Sequence, residues 1–300
     1  MLARRIRPTE SAVLRTANDQ FDMPMYLSLP ERPNRDGWFV IDVHGGPHAR
    51  EFNELDMMAQ FWTSRGLPHF RLNIRGSTGF GADYAKASDG KWCDVVDDIG
   101  AAIKWVREKG LGMNPIVTGA SFGGYAAAAA FAKGYTKHAI AINGLYDLER
   151  NLAGIKAGRT KYSQHDLSDP RVQFGDTEAI RLANSVTTHL APSDGEMLIF
   201  AGLEDDNCLP EQSQILFDRM KELGNSARLV TMAEEGHSPS KPENLLMMLR
   251  VQEEFVRRIT GAPCESGGYA TIATTPGAAS FETRAAMGYG PGALVVYNGL

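Results

Sequence analysis

Short apolar runs alternating with helix-period stretches over residues 38–260 constrain this chain more than any other feature. Trp38-Phe39-Val40-Ile41-Asp42-Val43 is almost continuously apolar, as a strand covered on both faces must be. Pro68 to Ile74, Asn114 to Thr118, His138 to Ile142, Glu196 to Ala201 and Ala227 to Ala233 read the same way. Between them lie helical patterns. Asn53 is positioned to cap a helix with Leu55, Met58, Ala59 and Trp62 on one face. Asp94 to Lys109 turns Val95, Ile99, Ala102, Ile103 and Val106 inward. Glu211 to Leu223 is amphipathic and stops at Gly224, and Pro242 opens a helix over Glu243 to Ile259. Met25 to Leu29 reads as an outer strand, and Asp176 to Asn184 as a helix inside the otherwise aperiodic stretch 143–195. The alternation predicts an α/β fold, a mostly parallel central sheet with helices on both faces. In such sheets ligands bind at the carboxyl ends of the strands.

Composition excludes several classes. The 31 basic and 36 acidic residues are interspersed and leave a net charge of −5. No basic stripe exists, so nucleic acid is not expected as a partner. No apolar run suits a signal peptide or a membrane span, so no membrane partner is expected either. Cys93, Cys208 and Cys264 are odd in number and far apart. Such thiols predict a reduced, cytoplasmic protein. No metal site and no cofactor are expected. Residues 262–300 carry only Glu265, Glu282 and Arg284 as charges among many Gly and Ala. They read as a disordered tail in which Ala293 to Tyr297 is apolar enough to dock.

Chemistry enters at Gly119-Ala120-Ser121-Phe122-Gly123. This is G-x-S-x-G between a strand and a helix, the pattern that exposes a serine on a sharp turn. Gly119 and Gly123 remove side chains that would crowd the bend. The backbone N–H of Phe122 then points toward the serine at a helix N-terminus, which favours negative charge. A glycine turn with a serine cap would look similar, so partners must decide. A serine needs a base, usually histidine, and the base needs an acid. Of the seven histidines His138, His165, His189 and His237 follow Ser121; His138 opens a strand, and His237 alone comes directly after the last strand. The acid belongs after the strand ending at Ala201, where Glu204, Asp205 and Asp206 stand in a row, with Asp147 as rival. His44-Gly45-Gly46-Pro47 follows a buried strand and offers the close-approaching backbone that a second oxyanion donor requires.

Six blocks in order resemble the prolyl oligopeptidase family of serine peptidases, especially its acylaminoacyl-peptidase-like branch, with the α/β-hydrolase fold. They are His44 to Pro47, Asn73 to Gly81, Gly90 to Asp98, Gly119 to Tyr125, Asp205 to Pro210 and Glu235 to His237. The resemblance implies Ser121 as nucleophile, Asp205 as triad acid, His237 as base, Gly46 and Phe122 as oxyanion donors, and Asn207 as a contact for the substrate backbone. Arg75 to Gly81 and Trp92 match framework blocks. Tyr125 and Tyr146 are expected substrate contacts, with Tyr162 and Phe174 as further aromatic candidates. Residues 1–261 are expected to form the hydrolase domain, with 1–19 an irregular lead-in and no β-propeller of the kind that screens substrates in relatives.

The expected activity is cleavage of acyl-peptide or aminoacyl bonds through an acyl-enzyme. The alternatives are a carboxylesterase acting on small acyl esters and a degenerate, non-catalytic hydrolase domain. Without a propeller, self-association into a homo-oligomer would supply the size filter.

Overall fold

A computed structural model describes residues 6–160, 169–261 and 294–299. The strands are β1 (Glu10–Arg15), β2 (Asp22–Ser28), β3 (Trp38–Val43), β4 (His69–Leu72), β5 (Asn114–Ala120), β6 (His138–Ile142), β7 (Glu196–Gly202), β8 (Ser226–Met232) and β9 (Leu294–Gly299). They form one sheet in the order β1-β2-β4-β3-β5-β6-β7-β8-β9. From β4 through β8 the pairings are parallel; β1, β2 and β9 join antiparallel.

The described helices are α1 (Met57–Thr63), α2 (Ala82–Lys86), α3 (Trp92–Val95), α4 (Asp97–Glu108), α5 (Phe122–Ala132), α6 (Leu148–Lys156), α7 (Pro170–Phe174), α8 (Glu178–Asn184), α9 (Val186–His189), α10 (Glu211–Glu222) and α11 (Pro242–Thr260). Strand side chains alternate between two cores, which explains the unbroken apolar runs. Ile41 and Val43 of β3, with Met197 and Ile199 of β7, pack with α4, α5 and α10. Val40, Leu198 and Phe200 point the other way, onto Trp62 of α1 and Met248, Val251 and Phe255 of α11.

Several expectations shift. Asp56, not Asn53, caps α1 by accepting from the Ala59 N–H, and Leu55 is exposed. The long helix expected from Asp94 breaks into α3 and α4, with Val96 between them. Glu10–Arg15, inside the lead-in expected to be irregular, is an edge strand registered on β2. In the tail read as disordered, the run from Ala293 to Tyr297 that is apolar enough to dock overlaps Leu294–Gly299, which pairs along β8.

The framework blocks join as a unit. The Arg75 guanidinium donates to Asp98 Oδ2 at 2.9 Å and to the Asp94 carbonyl at 2.9 Å, with both Arg75 and Asp98 buried. Trp92 stacks edge-on against Phe122 and Phe174. These contacts brace the start of α5, where the serine sits.

Candidate active site

β5 lies near the middle of the sheet, and its carboxyl end carries the bend. Ser121 has φ 59° and ψ −121°, a conformation that costs a non-glycine residue free energy and persists only when the surroundings enforce it. The surroundings do so through close approach. A Cβ on Gly123 would stand 1.9 Å from the Val43 carbonyl oxygen, and one on Gly119 would stand 2.4 Å from the same atom. One side holds the bend by the Ser121 N–H donating to the Ile142 carbonyl at 2.9 Å.

The other two side chains meet as the chain order suggested. His237 Nδ1 and Asp205 Oδ2 are 2.8 Å apart. Asp205 is almost fully buried, and its Oδ1 accepts from the N–H groups of Asn207 at 2.9 Å and Cys208 at 2.8 Å. Three hydrogen bonds therefore fix the orientation of the carboxylate. The rival, Asp147, is occupied elsewhere: it caps α6 by accepting from the Arg150 N–H at 3.0 Å and pairs with the Arg150 guanidinium. His189 lies against the Ala183 carbonyl at 2.6 Å, and His165 is outside the described residues.

The His44-Gly45-Gly46-Pro47 loop runs beside the serine. A Cβ on Gly45 would stand 3.4 Å from Ser121 Cβ, and Gly46 has φ 122°, which suits glycine. The His44 ring pins this loop, with Nδ1 at 2.6 Å from the Gly45 carbonyl and Nε2 at 2.8 Å from Ser77 Oγ. Burial lowers the pKa of His44, so its ring favours the neutral form. Phe122, the residue after the bend, is buried at the first turn of α5.

Among the described residues no hydrogen bond links the Ser121 hydroxyl to His237. Burial holds the nearby Cys208 thiol well above the usual cysteine pKa. A thiol so held stays protonated and is no nucleophile. Hydrogen bonds between a nucleophile and its base are often long before substrate binds and tighten in the complex.

Two expected substrate contacts are absent from the accessible surface. Tyr125 is fully buried; its hydroxyl donates to the Asn184 carbonyl at 2.7 Å. Tyr146 is fully buried too, its hydroxyl accepting from the Gly144 N–H at 3.2 Å. Each ring is too thoroughly packed to meet a ligand. Phe174 is likewise buried, against Trp92, and Tyr162 lies outside the described residues. Asn207 remains half-buried beside Asp205. Sequence reasoning missed Asn143, the residue after β6, although an Asn ending a buried strand is a usual site for left-handed backbone. Its φ is 46°.

Comparison with known proteins agrees with this architecture. Dipeptidyl aminopeptidase BIII from Pseudoxanthomonas mexicana is 28% identical over 270 residues, 84% of this chain and 39% of that protein. The uncharacterized peptidase YuxL from Bacillus subtilis is 25% identical over 276 residues, 77% of this chain and 39% of that protein. The structure of puromycin hydrolase matches with a TM-score of 0.74 at 22% identity, over 86% of this chain and 40% of that one. Acylaminoacyl peptidase in complex with Z-Gly-Gly-Phe-chloromethyl ketone matches with a TM-score of 0.76 at 18% identity, over 84% and 42%. The chain thus spans about two fifths of the length of these relatives. The model of the prolyl oligopeptidase family matches residues 53–262, a stretch holding the serine bend, the acid loop and the histidine loop, and the chain belongs to that family.

Proposed function

We propose that the chain is a serine peptidase that cleaves acyl-peptide or aminoacyl bonds through an acyl-enzyme. The observation that carries the reading is the 2.8 Å contact between His237 Nδ1 and buried Asp205, at the same end of the sheet as a serine held at φ 59°. In this reading His237 Nε2 takes the Ser121 proton while Oγ bonds to the substrate carbonyl carbon. The carbonyl oxygen becomes an oxyanion between the N–H groups of Gly46 and Phe122. The carbon–nitrogen bond then breaks, and His237 returns the proton to the leaving amine. Water, activated by the same imidazole, releases the acyl group and restores the serine. Asp205 keeps the Nδ1–H tautomer and stabilises the charged ring. Asn207, beside the acid, is assigned to the substrate backbone.

Support comes from the family and from relatives that include a dipeptidyl aminopeptidase. A cytoplasmic location fits the free, buried thiols of Cys93 and Cys208, and cell fractionation checks it. The deciding experiment labels the folded chain with a fluorophosphonate and compares Ser121→Ala. Labelling confined to Ser121, with hydrolysis of aminoacyl or acyl-peptide anilides, is the expected result. Absence of labelling in folded protein overturns the reading, and turnover of p-nitrophenyl esters without any amide cleavage moves it to an esterase.

A further inference from the structure

Three loops must hold their reacting groups to a fraction of an ångström, and one residue touches or adjoins all of them. We propose that Asn143 is a positioning residue that locks the acid loop and the base loop into one register. The inference rests on the assignment of Ser121, Asp205 and His237 as the reacting set.

Asn143 follows β6 directly, and only 2% of its surface is exposed. Its φ of 46° lies in the left-handed region, which side-chain-bearing residues avoid but Asn tolerates best. Three bonds use that conformation. The backbone N–H donates to the Phe200 carbonyl at 3.0 Å. The carboxamide Oδ1 accepts from the Gly202 N–H at 2.9 Å. The carboxamide Nδ2 donates to the carbonyl of His237 itself at 2.7 Å. One planar group therefore spans from the last residue of β7, three positions before Asp205, to the backbone of the base. The preceding residue completes the set, because the Ile142 carbonyl accepts from the Ser121 N–H.

The two bridged loops are already close. A Cβ on Gly202 would stand 2.4 Å from the Gly236 carbonyl oxygen, and the Glu204 N–H donates to the Glu235 carbonyl at 2.9 Å. The far side of the base loop is held separately. The buried Glu235 carboxylate accepts from the N–H groups of Ser240 at 2.9 Å and Lys241 at 3.1 Å, and from Asn244 Nδ2 at 2.6 Å. Glu235 thus anchors the loop to α11, while Asn143 sets its distance from the acid. A carboxamide suits this task because both ends are used and neither carries charge. Breaking either bond would leave a buried polar group unpaired.

Two variants separate the parts. Asn143→Gly accepts the same backbone angle and removes the carboxamide. Asn143→Asp keeps an acceptor for Gly202 but turns a carboxylate oxygen toward the His237 carbonyl. The readouts are the fluorophosphonate labelling rate per folded molecule and the downfield proton resonance of His237 Nδ1–H. Labelling should slow by about 10- to 100-fold, on the scale of a 1 Å misplacement, and the resonance should move upfield or broaden. Labelling within about twofold of the parent, with the resonance unmoved, in whichever variant folds, overturns the proposal. Should the parent itself fail to label while Asn143→Gly still abolishes its downfield resonance, the peptidase reading falls and the positioning role stands.

Discussion

At the residue scale, the site depends on absences as much as on reactive groups. Gly123 has no room for a methyl, because the obstacle 1.9 Å away is the backbone of β3. Gly123→Ala should therefore cost at least the ~1–3 kcal/mol typical of overpacking, measured by denaturant unfolding, and should abolish labelling of Ser121. The acid assignment makes a paired prediction. Asp205→Asn should lower turnover by about 10⁴-fold, the scale of the equivalent change in a chymotrypsin-type triad. Asp147→Ala should instead remove a helix cap, costing about 1 kcal/mol of stability with turnover unchanged. Collapse of turnover in the Asp147 variant would transfer the acid role to it. Ser121, His237 and the carboxylate run were legible as candidates because a reacting group in such a sheet is expected to follow directly on a strand end. Asn143 was not legible, since its role is set by backbone from β7 and the base loop meeting it in space. Tyr125 and Tyr146 were misread for a related reason: neither adjacency to the serine, for Tyr125, nor a place in the aperiodic stretch 143–195, for Tyr146, says which way a ring turns.

At the scale of elements, the strands were easiest to read. Burial on both faces writes itself as an unbroken apolar run, and the expected bounds of β3, β6, β7 and β8 lie within about two residues of those observed, the usual scatter at element ends. Helices with one wet face, α10 and α11, were equally plain. α5 shows no face at all, because every residue from Phe122 to Phe131 is buried, so its limits could not be drawn from periodicity. Residues 143–195 resisted reading because short helices, α6 to α9, carry too few turns to establish a period. α1 shows where packing overrides a plausible cap. Trp62 is fully buried in the second core and fixes the helix around itself. Trp62→Ala should cost about 3–5 kcal/mol by chemical denaturation, while an Asn53 variant should leave stability unchanged.

At the scale of the whole molecule, pH and sheet edges set the terms. Burial, with the neighbouring Asp42 and Asp56 carboxylates opposed by Arg71, pushes Glu51 from 4.5 up to about 7. The folded state therefore binds this proton more tightly than the unfolded chain does, and the stabilisation belongs to low pH. It is fully present below the unfolded value and fades as pH climbs from about 4.5 to about 7. Glu51→Gln cannot titrate. Its melting temperature should gain on the parent's between about pH 5 and about pH 8, and a constant gap would refute the shift.

β9 lies antiparallel along β8, from Ala227↔Gly299 to Met232↔Leu294. A sheet rim left bare invites like chains to zip together. Trimming the chain before Leu294 would uncover the N–H and carbonyl groups of β8, whose strand is otherwise sealed inside the molecule. Shortened protein should then scatter light on standing at concentrations where the intact chain stays clear, because the rim moves from a short outer selvedge to β8, a strand buried along almost its whole length.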